Sequence, residues 1–195
     1  NQIGWKTQYN VTINGVTQTI APTGNGITVG VIDTGGTPQW VGNIADSITL
    51  GSCQVSGCTS SIDDNGHGTF VSSEIASNIP NIGMTGLANG AKILAVKVLN
   101  ANGSGNSTSV INGIIAATDG GAQVLNLSLG SDSPAFYNSI AGAVNYAASK
   151  GVFVVFAGGN SSKAFASGKN VTGFTDEAIQ HMLLVGSVNS RNGKS

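Results

Sequence analysis

Five stretches of the chain are runs of apolar, largely β-branched residues that break off at glycine or a small polar residue. They are Ile27–Asp33 (ITVGVID), Ile93–Leu99 (ILAVKVL), Val124–Gly130 (VLNLSLG), Val152–Asn160 (VFVVFAGGN) and Leu183–Val188 (LLVGSV). Runs without polar alternation predict strands buried on both faces, as in a parallel sheet. Between them the apolar positions recur at helical spacing. Gly68–Asn78 carries Val71, Ile75 and Ala76, and Ser107–Asp119 carries Val110, Ile111, Ile114 and Ile115. Ala135–Lys150 carries Ile140, Val144 and Ala147, and a short helix is expected over Asp176–Met182. Gly120–Gly121 and Gly151 stand just past the two longest helical stretches, where a C-terminal stop is expected. This alternation predicts an α/β fold: a doubly wound, mostly parallel sheet with helices on both faces. With no internal repeat and no linker-like stretch, residues 1–195 are read as a single domain.

In open α/β sheets, ligands bind in the crevice outside the carboxyl ends of the strands. Asp33 ends the first predicted strand, and Gly103, Ser104 and Gly105 follow the second. Ser128, Leu129 and Gly130 end the third, and Gly158, Gly159 and Asn160 end the fourth. One of only two histidines, His67, stands between two glycines at the start of a helix. Singly, each has a bland reading: a turn for Asp33 or Asn160, a helix start for His67. Together they offer an acid, a base and an amide donor. An aspartate that accepts from an imidazole N–H fixes its tautomer and stabilises the imidazolium. Histidine can then act as a general base near neutral pH. A side-chain amide can stabilise developing negative charge.

Composition narrows the classes. Apolar residues make up 40% of the 195, enough for a sizeable core. Charged residues are 9% and the net charge is -1, so no basic stripe points to nucleic acid or an anionic membrane. No apolar run reaches the roughly 20 residues that span a bilayer. Few charges with abundant Ser, Thr and Asn fit a secreted or extracytoplasmic protein. The first residues, NQIGWKTQYN, show no basic start and no apolar core, so a secreted chain is expected to begin after processing. The two cysteines, Cys53 and Cys58, can close a disulfide around QVSG. The rival, a zinc knuckle, needs four ligands, and no metal site is expected.

Five segments in order resemble the subtilisin-like serine proteases, the subtilases, from about Gly26 to the C-terminus. VIDTG (Val31–Gly35) is similar to the catalytic-aspartate segment, and NGHGTFV (Asn65–Val71) to the catalytic-histidine segment. NLSLG (Asn126–Gly130) resembles the strand beside the primary specificity pocket, and NGSG (Asn102–Gly105) the second substrate-binding strand. VVFAGGN (Val154–Asn160) resembles the segment whose asparagine completes the oxyanion hole. The order Asp then His also fits this family. The resemblance implies Asp33 and His67 as the base system, Asn160 as oxyanion donor, and a polypeptide substrate held by backbone pairing. It implies no required cofactor. Gly158 and Gly159 suggest an open pocket floor that tolerates large apolar side chains. Gly66 and Gly68 are expected to turn the chain so that His67 faces Asp33, and Asp63 and Asp64 are read as loop residues.

The chain also departs from the family. Phe70 stands where a second histidine is usual. The loop Asn78–Gly83 matches a calcium-binding loop in length, but Pro80 replaces an expected oxygen ligand, so that calcium site is expected to be degraded. His181 is expected at the surface. The Gly-Thr-Ser segment that carries the family's nucleophile, followed shortly by proline, is absent: Pro134 is the last proline, and only 35 residues follow Asn160. Ser128 and Ser161 lie near the expected site but not on the expected strand-to-helix turn. The expectation is therefore a catalytic domain truncated before its nucleophile, inactive alone and completed by a C-terminal remainder carrying the serine. Two alternatives are a catalytically dead subtilase-like binding protein and a nucleotide-binding module built on Asn102–Thr108. The latter lacks the third glycine of the dinucleotide motif and the P-loop lysine.

Overall fold

The computed structural model describes residues 8–20, 23–37, 48–79, 84–160 and 171–187. The first four strands are β1 (Tyr9–Ile13), β2 (Val16–Ile20), β3 (Thr28–Asp33) and β4 (Ile48–Cys53). Helix α1 (His67–Ala76) is followed by the short strands β5 (Asn78–Ile79) and β6 (Met84–Thr85). Then come β7 (Lys92–Lys97), α2 (Ser107–Asp119), β8 (Val124–Leu127), α3 (Pro134–Ser149), β9 (Phe153–Ala157), α4 (Asp176–Gln180) and β10 (Met182–Val185).

Six strands form one sheet in the order β10-β9-β8-β3-β7-β4, and every pairing in it is parallel. Successive side chains of a strand point to opposite faces. Ile32, Leu94, Val96 and Val98 accordingly pack with α2, α3 and α4, while Val29, Val31, Ile93 and Ala95 pack with α1. Helices thus cover both faces, and the doubly wound α/β expectation matches the structure. Strand β3 continues through β4 and β7 on one side, and the chain then crosses to β8 and onward on the other. The connections diverge between β3 and β8, so the crevice at their carboxyl ends is where this topology opens a site.

The predicted elements are all present, with adjusted ends. Helix α1 starts one residue earlier than expected and stops at Ala76, and β9 ends at Ala157, short of the expected Asn160. Beyond those elements the structure adds β4 at the sheet edge and the antiparallel β1–β2 hairpin, closed by Asn14 and Gly15 with φ of 51° and 78°. Cys53, at the end of β4, is disulfide-bonded to Cys58 as expected. Among the described residues no helix is long and apolar enough to cross a membrane.

Candidate active site

Asp33 is the last residue of β3 and is completely buried. Its Oδ1 accepts the Thr34 backbone N–H at 2.7 Å. The ring of His67 lies against the same carboxyl, with Nδ1 2.8 Å from Oδ1 and 2.9 Å from Oδ2. An ionised carboxylate only accepts, so Nδ1–H is the donor to Asp33, which in the neutral imidazole makes Nε2 the acceptor. The His67 side chain is 48% exposed, so this half-open ring sits on a closed acid. Burial pushes the Asp33 carboxyl above its ordinary value, and the hydrogen bonds from His67 and Thr34 pull it partly back.

Local sequence explains how His67 reaches that position. Gly66, the N-cap of α1, has φ of 104°, a left-handed conformation that suits glycine. Gly68 is needed for closeness instead: a Cβ there would lie 2.2 Å from the Gly35 carbonyl oxygen. A helix start leaves its first amides without intrahelical partners. Here the His67 N–H donates to Asn65 Oδ1 (3.2 Å), the Gly68 N–H to Thr34 Oγ1 (2.9 Å) and the Thr69 N–H to Asp63 Oδ2 (2.8 Å).

Asp63 is the hub of this turn and more than the loop residue expected. It also accepts from the amides of Asn65 (3.0 Å) and Gly66 (2.9 Å) and from the hydroxyls of Thr34 (2.8 Å) and Thr69 (2.6 Å). Burial works to raise its pKa, but the bonds from Gly66, Thr69 and Asn65 outweigh it and bring the carboxyl down to about 2. Asp64 is likewise engaged, its Oδ1 2.6 Å from the buried ammonium of Lys97. Two signals for these roles stood in the sequence: an aspartate four residues ahead of a helix, and a lone lysine inside an apolar strand.

A groove of about 480 Å³ runs over His67. The expected residues Gly103, Ser104 and Gly105 line it together with Ser128, Leu129 and Gly130. Asn65, Leu99, Val110 and Phe136, unassigned from sequence, line it too. Gly158, Gly159 and Asn160 do not. They follow β9 at the same carboxyl edge of the sheet, outside the groove's lining. Ser128 lines the groove and its Oγ accepts from Asn126 Nδ2 at 2.9 Å, while Ser161 lies outside the described residues. Residues 80–83 of the calcium-loop expectation also lie outside them. Among the described residues no cluster of His, Cys, Asp or Glu could hold a metal ion. His181 caps α4 and is half-buried, its ring Nδ1 2.9 Å from the Glu177 carbonyl oxygen.

The family model described as "Subtilase family" matches residues 24–195. The chain belongs to the subtilase family. Subtilisin Savinase of Lederbergia lenta is 45% identical over 140 residues, which is 71% of this chain and 49% of that protein. Subtilisin DY of Bacillus licheniformis is 34% identical over 177 residues, 88% of this chain and 60% of that protein. Among solved structures, "Crystal structure of a cold adapted subtilisin-like serine proteinase" superposes with a TM-score of 0.68 at 30% identity. That match covers 89% of this subtilase chain and 59% of the other. The chain therefore spans about half the length of the relatives it matches.

Proposed function

We propose that this subtilase chain is the base-bearing part of a secreted serine endopeptidase that works through an acyl-enzyme. The observation that carries the reading is the 2.8 Å contact between His67 Nδ1 and the buried Asp33, beneath a groove bounded by two glycine- and serine-containing segments. Family membership supports a serine as nucleophile, and we place it outside these 195 residues, in a C-terminal remainder of the same protein.

In this mechanism His67 Nε2 takes the proton of the serine hydroxyl as its oxygen attacks the peptide carbonyl carbon. Asp33 holds the ring and stabilises the imidazolium. His67 then gives that proton to the leaving amine, and water repeats the sequence to free the acid. Asn160 donates its amide N–H to the oxyanion. The substrate lies extended between Gly103–Gly105 and Ser128–Gly130, pairing through its backbone. These steps call on no cofactor, and any calcium would be a structural ion whose expected site is degraded by Pro80. The Cys53–Cys58 bridge supports an extracytoplasmic location, because disulfides persist in oxidising compartments.

Two measurements on the full-length protein test this. A fluorophosphonate probe is expected to label a serine beyond Ser195 and none before it, and His67→Ala is expected to abolish both labelling and peptide hydrolysis. Labelling of Ser128, or full hydrolysis by His67→Ala, overturns the assignment. A full-length protein that never takes up the probe is a non-catalytic binding protein.

A further inference from the structure

Lys97, the last residue of β7, is 3% exposed and closes the apolar run Ile93–Val96 with an ammonium group. Its ammonium has three donors, and each has an acceptor. These are Asp64 Oδ1 at 2.6 Å, the Thr34 carbonyl oxygen at 2.7 Å and the Leu99 carbonyl oxygen at 2.8 Å. The acceptors belong to three segments that the site must hold in one arrangement. Thr34 directly follows Asp33, which is itself the register partner of Lys97. Asp64 lies three residues before His67. Leu99 opens the loop that reaches Gly103–Gly105 in the groove.

We propose that Lys97 is a positioning residue for the reaction: its ammonium, paired with Asp64, locks the Asp33 strand end, the His67 turn and the substrate-binding loop into register. The proposal rests on the proteolytic reading above. Stability alone does not account for the residue. Burying an ammonium carries a large desolvation penalty, and an apolar side chain of similar length commonly serves a fold as well or better. A three-way tie with directional bonds is what the ammonium adds. Among the described residues the same parts are otherwise joined pairwise, as by Asp63 with Thr34 at 2.8 Å, the Gly68 N–H with Thr34 Oγ1 at 2.9 Å, the Val98 N–H with the Asp33 carbonyl oxygen at 2.8 Å, and Asn65 Nδ2 with the Ala101 carbonyl oxygen at 2.9 Å. Those ties remain when Lys97 is removed, so the expected loss is partial.

The test uses the full-length protein with Lys97→Met, Asp64→Asn and the double variant, each rate normalised to active sites. Misplacement of catalytic groups by about 1 Å can cost of the order of 10²-fold. With the other ties kept, kcat is expected to fall about tenfold in Lys97→Met and less in Asp64→Asn, with the change in kcat exceeding that in KM. Asp64→Asn is expected to add nothing once Lys97 is gone. The low-field proton resonance of His67 Nδ1–H is expected to broaden in Lys97→Met while thermal stability holds. A fall in stability with unchanged kcat per active site and an unchanged resonance overturns the proposal. If Lys97→Met does not fold, the half-exposed Asp64→Asn decides by the same two readouts. His67→Ala runs alongside. If it retains full hydrolysis the proteolytic reading fails, and the resonance alone then decides the placement by Lys97.

Discussion

His67 and Asp33 are 34 residues apart in the chain, yet both carboxyl oxygens of Asp33 lie within 2.9 Å of His67 Nδ1. The contact joins a half-exposed base to an acid with no solvent access. Burial raises the Asp33 pKa, so the folded chain holds that proton more tightly than the unfolded one. The ionised carboxylate therefore lowers stability. That penalty is absent below the ordinary value of 3.8 and grows as pH rises through the raised one. Asp33→Asn is expected to raise the melting temperature at pH 7, with the gain shrinking towards pH 4. In the full-length protein it is expected to lower kcat about 10⁴-fold through the wrong tautomer. A lower melting temperature at pH 7 would count against the burial argument.

Asp63 has the opposite sign. Its folded pKa is about 2, below the ordinary value of 3.8, so its contribution is present above 3.8 and is lost as pH falls through about 2. Asp63→Ala strips the acceptor from the first turn of α1. The expected cost is about 1–2 kcal/mol, the upper range for loss of a helix cap. Asp63→Asn is expected to flatten the stability–pH curve between about pH 4 and pH 2. Urea denaturation at pH 5, 3 and 2 measures both, and an unchanged acid slope in Asp63→Asn would assign that slope to other groups.

Asp63 and Lys97 also show where the sequence stops being readable. The apolar runs identify five of the six described sheet strands, because burial on both faces leaves a continuous local signal, and apolar positions at helical spacing identify α1, α2 and α3. Strand β4, Ile48–Cys53, is an edge strand with exposed Thr49 and Leu50 and a register shift before Cys53, so its sequence has no such run. The β1–β2 hairpin carries a local signal in Asn14-Gly15, yet β1 alternates apolar and polar residues and β2 is polar between its ends, so both escape a search for continuous runs. Asp33 and His67 were legible through their motifs. Their supports were not, because Thr34 meets Asp63 across 29 residues and Lys97 meets Asp64 across 33. Such pairs are set by the topology, and local spacing does not encode them.

Two glycines in helices are expected to respond in opposite directions to alanine. Alanine ordinarily gains about 1 kcal/mol over glycine in a helix. At exposed Gly142 in α3 nothing lies within 4 Å of a new Cβ, so Gly142→Ala is expected to stabilise by about 0.5–1 kcal/mol. At Gly68 the Cβ would meet the Gly35 backbone oxygen at 2.2 Å, and backbone cannot step aside cheaply. Overpacking of this kind costs about 1–3 kcal/mol, which outweighs the propensity gain. Gly68→Ala is therefore expected to destabilise and to shift His67. Denaturant midpoints of the two variants check the contrast, and a stabilised Gly68→Ala would show that α1 has room to move.

The Cys53–Cys58 bridge closes a short loop at the end of β4. Within that loop the Gln54 N–H donates to the Lys97 carbonyl oxygen at 2.8 Å, and the Gln54 carbonyl oxygen accepts from Ser109 Oγ at 2.8 Å. The bridge thus holds a clamp between β7 and α2. By chain entropy a loop this short is worth about 2 kcal/mol. Replacing both cysteines with serine is expected to lower stability by about that amount, and reductant is expected to do the same to the parent protein and nothing to the variant. Equal denaturation curves with and without reductant for the parent would remove the bridge from the stability account.

Asn160 stands three residues beyond β9. Gly158 ties the strand end to β10, its N–H 2.7 Å from the Val185 carbonyl oxygen. Gly159 then takes φ of 88°, a turn that a side chain would strain. This fixed turn carries Asn160 past the strand at the carboxyl edge where Asp33 also lies. An oxyanion-hole donor acts on charge that exists only in the transition state, so its loss belongs in kcat. Asn160→Ala in the full-length protein is expected to lower kcat about 10²–10³-fold with little change in KM, the size known for such an amide in a subtilisin. Because the turn is built by the glycines, the variant is expected to fold as the parent does. Steady-state hydrolysis of a peptide series separates the two parameters. A rise in KM at constant kcat would make Asn160 a substrate-binding residue and leave the oxyanion to another donor.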